Sequence, residues 1–229
     1  MLDFTHRSLQ KELLDRNDIP FGDIRQNLRE LNTINTLLGG HKITLDGVSA
    51  LSKPQNCDIV EIGCGGGDNL AFIKKKLANK GFEIKLTGID MKGECITYAK
   101  SQNPDINFIC SDYKDVTFSA KPDIIFSSLF CHHFTDEELA AQLIWMKENS
   151  RIGFFINDLH RHSLAYYSIK LLTSLFSKSY LVKNDAPLSV ARGFTKREWQ
   201  IIFEKAGIKN YSVQWKWAFR HLICYKHEQ

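Results

Sequence analysis

The residues able to do chemistry gather where short apolar runs give way to polar ones. The first such place is Ile59-Val-Glu-Ile-Gly-Cys-Gly-Gly-Gly-Asp-Asn69. Glycines let a backbone turn sharply and approach a ligand with no Cβ in the way. A glycine-rich turn opening a helix presents bare amides, which suit a phosphate. Here, however, Glu61 stands two positions before the first glycine, and Asp68 occupies the place of the third glycine of the dinucleotide pattern. A carboxylate beneath the loop asks for a positive ligand group. Further polar residues follow each later apolar run: Asp90, Asp112, then His132-His133, then Asn157-Asp158-Leu159-His160-Arg161-His162.

S-adenosylmethionine meets these demands. Its ammonium can pair with Glu61, directly or through water, and its sulfonium tolerates an acidic neighbourhood. Asp90 is placed to accept both ribose hydroxyls, as acids at this position of an α/β unit do, and Met91 to lie against adenine. Asp112 is placed to accept from the adenine amino group, with Tyr113 as a wall. Gly63, Cys64, Gly65 and Ser128 complete the expected cofactor set. A plainer role stays open for each acid: Asp90 as a helix cap, Asp112 as a turn residue.

Methyl transfer from a sulfonium is an in-line displacement that needs alignment and, for a hydroxyl acceptor, a base. His132, His133 and His160 are the candidate bases. Asp158 could orient a histidine, and Arg161 could bind an acidic or phenolate group. Tyr167 and Arg192 are further candidates to face the acceptor. Against these stand ordinary roles in capping, loop hydrogen bonding and surface charge. No metal site is expected: Cys131-His132-His133 comes nearest, and adjacent side chains diverge.

The elements that must hold these residues alternate as strand and helix, the signature of stacked β-α units. Strands are expected at 58–62, 83–90, 106–110, 123–130 and 152–158. Helices follow: one through Leu70, Ile73 and Leu77 stopped by Gly81, one at 94–101, and one opened by the capping box Thr135-Asp-Glu-Glu138. A second box, Thr195-Lys-Arg-Glu198, opens a helix ending at Ala206-Gly207. Runs at 208–217 and 219–225 are joined too tightly for a crossover helix and read as an antiparallel hairpin. The expected fold is α/β: a Rossmann-like, seven-stranded, mostly parallel sheet with a C-terminal antiparallel hairpin and helices on both faces. Residues 1–53, with Leu9, Leu13 and Leu14, then Ile24 to Leu38 at helical spacing, read as an N-terminal helical cap on a domain of residues 54–229. The apolar stretch 164–182, within an insertion at 160–192, reads as an acceptor lid.

Taken together, Glu61-Ile-Gly-Cys-Gly-Gly-Gly67, Gly88-Ile-Asp-Met91, Ser111-Asp-Tyr113 and Asp123-Ile-Ile-Phe-Ser-Ser-Leu-Phe-Cys-His-His-Phe134 resemble four successive motifs of the class I S-adenosylmethionine-dependent methyltransferases. The likeness covers about residues 57–160, with Gly193-Phe-Thr and Ala206-Gly207 resembling a late signature. Within that class the chain is similar to ubiquinone/menaquinone-type and polyketide- or pigment-pathway enzymes. Glu12-Leu-Leu-Asp15 and the stretch from Leu31 to Gly40 resemble a subgroup for which no acceptor is implied. The resemblance implies S-adenosylmethionine as donor, S-adenosylhomocysteine as product and a small acceptor, aromatic or lipid-like. O-methylation is favoured and C-methylation of a quinol-type ring comes next. The competing readings are a methyltransferase of RNA or protein and a non-catalytic S-adenosylmethionine-binding partner.

The 229 residues carry 43% hydrophobic and 24% charged residues and a formal charge of +4, ordinary for a globular domain and without the basic stripe of a nucleic-acid binder. No apolar run approaches the roughly 20 residues of a bilayer span. The N-terminal residues lack the pattern of a secretory signal, and the six cysteines are scattered without a C-x-x-C pair. Reduced thiols, a cytoplasmic location and a monomer or dimer are expected.

Overall fold

The computed structural model describes residues 3–16, 18–51, 56–78 and 82–228. The expected domain boundary between residues 53 and 54 and the helix stop at Gly81 lie outside the described residues. Five strands run parallel: β1 (Cys57–Ile62), β2 (Ile84–Asp90), β3 (Asn107–Cys110), β4 (Ile124–Ser128) and β5 (Gly153–Leu159). The hairpin β6 (Tyr211–Lys216) and β7 (Arg220–Lys226) closes the sheet, with β7 antiparallel to β5. The order is β3-β2-β1-β4-β5-β7-β6. Every residue of β4 is buried, as a central parallel strand covered on both faces requires. Strand order reverses between β1 and β4, which opens a crevice at their carboxyl ends.

Alternation along the strands feeds two apolar layers. Ile59, Phe126 and Phe155 meet Val48 of α2 (Gly40–Leu51), Ile73 of α3 (Asp68–Ala78) and Ile96 of α4 (Gly93–Gln102). Val60, Ile125 and Phe154 turn to the other face, against Leu143 of α5 (Asp136–Asn149) and Trp199 of α8 (Lys196–Lys205). Both expected capping boxes form, Thr135 with Glu138 and Thr195 with Glu198. Three more helices, α1 (Phe21–Leu37), α6 (Ser163–Phe176) and α7 (Tyr180–Arg192), supply walls of the crevice.

Three elements depart from the sequence reading. The segment around Leu9, Leu13 and Leu14 is an extended arm with a single 3-10 turn at Leu13–Asp15, not a helix. Its backbone groups are taken by side chains far along the chain: Asp185 accepts from the Leu13 and Leu14 amides at 2.8 and 2.9 Å. Strand β4 stops at Ser128 because Leu129 enters the left-handed region at φ 53°, and Cys131–His133 then form a 3-10 turn. The apolar stretch 164–182 breaks into α6 and α7, since Ser179 caps the second helix through the Val182 amide. Glu30 of α1 fastens this break by accepting from the Lys178 and Ser179 amides, each at 3.1 Å.

Gly47 lets α2 lie directly on the sheet: a Cβ there would come within 2.5 Å of the Phe155 ring, itself stacked on Phe126 at 4.7 Å. Both rings are fully buried. Gly47→Ala is expected to cost about 1–3 kcal/mol, measured as a lowered urea midpoint at unchanged m-value.

Candidate active site

Past β1 the chain turns through Gly63, Gly65 and Gly67, all at positive φ, and enters α3 at Asp68. Gly63 is the most constrained, because its Cβ position would fall 2.2 Å from the Phe130 ring. Beneath the turn Glu61 is 1% exposed. Asn69 donates to its Oε1 at 2.8 Å, while Oε2 has no partner. Burial pushes Glu61 well above the usual carboxylate range; the Asn69 bond offsets this in part, and the charges of Asp68 and Asp90 add to it. Burial likewise lifts Asp68 to about 6. Asp90 is raised by burial, moderated by the amides it accepts from: Gly65 and Lys92, each at 2.9 Å. Three acids thus line one stretch of the cavity, and of them Asp90 feels the opposing charges of Lys92 and His133.

All nine residues expected to hold the cofactor line a single cavity of about 810 Å³. Asp90 spends one lone pair of each oxygen on the loop and keeps others for a ligand. Asp112 caps the turn at Tyr113–Asp115 through the Lys114 amide, and Tyr113 packs edge-on against Trp145 at 4.9 Å. Met91 stands exposed at the rim, and Cys64 and Ser128 are buried in the wall.

Of the candidate bases, His132 and His133 line this cavity and His160 does not. The His160 ring lies against His221 at 4.7 Å, and burial, with the charges of His162 and Arg161, lowers its pKa. His132 is 2% exposed. Its Nδ1–H donates to Asp158 Oδ1 at 2.8 Å, and Glu12 Oε1 of the arm faces its Nε2 at 3.4 Å. Burial pulls His132 down, but the charge and hydrogen bond of Asp158, followed by those of Glu12, outweigh it and push it up to about 9. Burial pulls Asp158 the other way, yet His132 holds it below the ordinary carboxylate range.

None of the four residues expected to face the acceptor lines the cavity. Asp158 is spent on His132 and on the Leu159 amide, the latter at 2.7 Å. Arg161 clamps the arm, donating to the carbonyls of Phe4, Thr5 and Gly193 and to both oxygens of Glu198. Arg192 donates to the carbonyls of His132, at 2.9 Å, and of Gln10. Tyr167 is exposed on α6, edge-on to Tyr166. In their place the cavity gains Glu12 and Asp15 from the arm, Asn35 from α1, Asn69 from α3 and Arg220 from β7. Asn69 follows the glycine loop directly, whereas Glu12, Asp15 and Asn35 lie in the two N-terminal stretches whose likeness implied no role for them, and Arg220 carried no local signal.

Residues 59–153 match a protein family described as a methyltransferase domain. Among solved structures, the plantazolicin methyltransferase BpumL in complex with SAH is 20% identical at a TM-score of 0.68, over 93% of this chain and 92% of that one. Human N-acetylserotonin methyltransferase in complex with SAM is 15% identical at 0.63, over 92% and 57%. A SAM-dependent methyltransferase from Aquifex aeolicus is 15% identical at 0.59, over 88% and 97%. The chain has the class I S-adenosylmethionine-dependent methyltransferase fold. The methyltransferase-domain match runs from β1 to the first residue of β5. Among the described residues no helix is long and apolar enough to cross a membrane.

Arg161 is the hinge-pin of the arm. Arg161→Ala leaves Glu198 without its partner and releases two arm carbonyls, an expected loss of roughly 3 kcal/mol, the low end for a broken buried pair because Glu198 keeps some contact with water. Urea unfolding measures the loss, and limited proteolysis should cut the variant within residues 3–16 before any other site. Equal protease resistance of the two proteins would show that the clamp does not hold the arm.

Proposed function

We propose that the protein transfers the methyl group of S-adenosylmethionine to a hydroxyl on a small, hydrophobic aromatic acceptor. One observation carries the donor assignment: the unpartnered Oε2 of Glu61 in a buried acidic group beneath a glycine turn. A ligand bearing an ammonium and a sulfonium supplies the positive charge this group lacks. A pyrophosphate would add negative charge where three acids already meet. Asp90 and Asp112 stand along the wall for ribose and adenine, as their placement at successive strand ends suggests.

The cavity is also lined by Phe134, Trp215 and Trp217, with Leu164 and Leu172 from α6, an apolar surround that suits an aromatic body. In the reaction the acceptor oxygen forms a bond to the methyl carbon as the carbon–sulfur bond breaks. The sulfonium becomes the neutral thioether of S-adenosylhomocysteine. The hydroxyl proton passes to His133, which lines this cavity, since His132, pushed up to about 9 by Asp158 and Glu12, already holds its proton near neutral pH. Enclosure by the arm, α1 and α6 holds acceptor and donor in line, which is where most of the rate gain arises.

Calorimetry with S-adenosylmethionine, S-adenosylhomocysteine and NAD tests the donor. Glu61→Gln is expected to weaken S-adenosylhomocysteine binding at least about tenfold, in the range for a charge-assisted bond. The sign of the pH effect follows from the raised Glu61: the ligand's ammonium needs the carboxylate ionised, so wild-type affinity rises with pH through the Glu61 titration. The Gln variant loses that rise. Preference for NAD, or unchanged binding in Glu61→Gln, would sink the donor assignment. A panel of catechols, hydroxybenzoates and quinols, scored by the mass gain of one methyl group, tests the acceptor.

A further inference from the structure

The group of side chains around His132 has a geometry that ion pairing alone does not explain. Neighbouring histidines ordinarily point apart. Here the 3-10 turn at Cys131–His133 sets the two rings 4.5 Å apart and tilted by 33°. Both Nε2 atoms then aim at one carboxylate: His132 Nε2 lies 3.4 Å from Glu12 Oε1, and His133 Nε2 lies 3.8 Å from Glu12 Oε2. Charge-assisted N–H···O bonds close to about 2.7–2.9 Å. These pairs stay open, although Glu12 is otherwise well seated, with Ser189 donating to its Oε1 at 2.6 Å.

The other ring nitrogens are held differently. His132 Nδ1 is 2.8 Å from Asp158, and His133 Nδ1 is 3.2 Å from Asp15. Each imidazole is therefore oriented by its own carboxylate on the far side, the arrangement that fixes metal-ligating histidines. One ligand atom from each of Glu12, His132 and His133 lies within 4.8 Å of the other two. Bonds of about 2.1 Å to a tetrahedral ion place ligands roughly 3.4 Å apart. The charge balance agrees: Glu12, Asp15 and Asp158 converge here, while Arg192 and Arg7 direct their hydrogen bonds to backbone carbonyls and to Asp136.

We propose that Glu12, His132 and His133 form a binding site for a divalent transition-metal ion at the acceptor end of the cavity, with Asp158 and Asp15 as the carboxylates that orient its histidines. Two imidazoles and one carboxylate favour Zn²⁺ or Fe²⁺ over Mg²⁺. Three protein ligands leave coordination positions open toward the cavity that all three residues line. An acceptor would fill them with oxygen, so the acceptor class narrows to molecules presenting a phenol, enol or adjacent oxygen pair. With the ion bound, His133 is a ligand and no longer the base; the ion would instead lower the pKa of the acceptor hydroxyl so that its proton is released to solvent. That use rests on the methyl-transfer reading above; ion binding does not.

The test is metal binding itself. Protein stripped with chelator is titrated with Co²⁺ and, separately, Zn²⁺. One ion per chain is expected, with Co²⁺ giving the visible bands of a low-coordinate nitrogen–oxygen site that Zn²⁺ displaces. His133→Ala and Glu12→Gln should each lower affinity at least tenfold, and Asp15→Asn by less. Because His132 is buried and its loss endangers folding, the half-buried His133 and the isosteric Glu12→Gln change carry the comparison, with thermal melting confirming intact variants. No cobalt bands in the wild type, or affinity unaltered in both variants, overturns the site. Cobalt binding retained by a protein that fails to bind S-adenosylhomocysteine supports the site and removes the methyl-transfer reading instead.

Discussion

A carboxylate taken fully out of water must find donors, and much of this molecule is arranged around how Asp158 finds them. It stands at the end of β5 with no exposure, and its partners are the ring and backbone amide of His132, in the turn after β4, and the Leu159 amide. The β4–β5 neighbourhood is thereby fixed as one unit. The His132 carbonyl, turned outward by the same geometry, accepts from Arg192 at the end of α7 and from Arg7 of the arm. One buried charge thus ties strand, loop, α7 and arm together. A buried ion pair is weak evidence for stability in itself, yet removing one partner is costly, so these elements keep their relative placement or lose it together.

The glycine loop follows the opposite logic. There the acids are left in want of a partner, and burial works against their charge. Such a site is destabilised on its own, and a cationic ligand bound there would relieve it, a form of linkage in which binding energy appears as folding energy. The cavity therefore has two unlike ends. At the Glu61 end charge awaits its complement, and at the His132 end carboxylates and imidazoles have already met.

The sequence made the first end legible and concealed most of the second. Gly63 and Gly65 announce themselves because a positive φ is a local requirement, and Glu61, Asp90 and Asp112 sit at strand ends that periodicity alone can locate. The sheet and its closing hairpin were readable for the same reason. Glu12 was not readable as a partner of His132, since nothing local links residues 120 positions apart. Leu9, Leu13 and Leu14 misled by falling at helical spacing in a segment whose backbone is bonded by Asp185 and Arg161 instead. Arg161 and Arg192 show a further limit: a guanidinium near a strand end looks the same in sequence whether it meets a ligand or a backbone carbonyl.

The arm has a consequence for how the molecule comes together. Its hydrogen bonds join Arg7 to the Arg192 carbonyl across 185 positions and Glu12 to Ser189 across 177. Contacts of such separation bear the largest loop-closure cost and form late. The sheet can condense from neighbouring β-α units while residues 3–16 are still unattached. Residues 3–16 are made before the sheet yet find their places after it, and Glu12 joins the cavity wall only once α7 is in position to receive it.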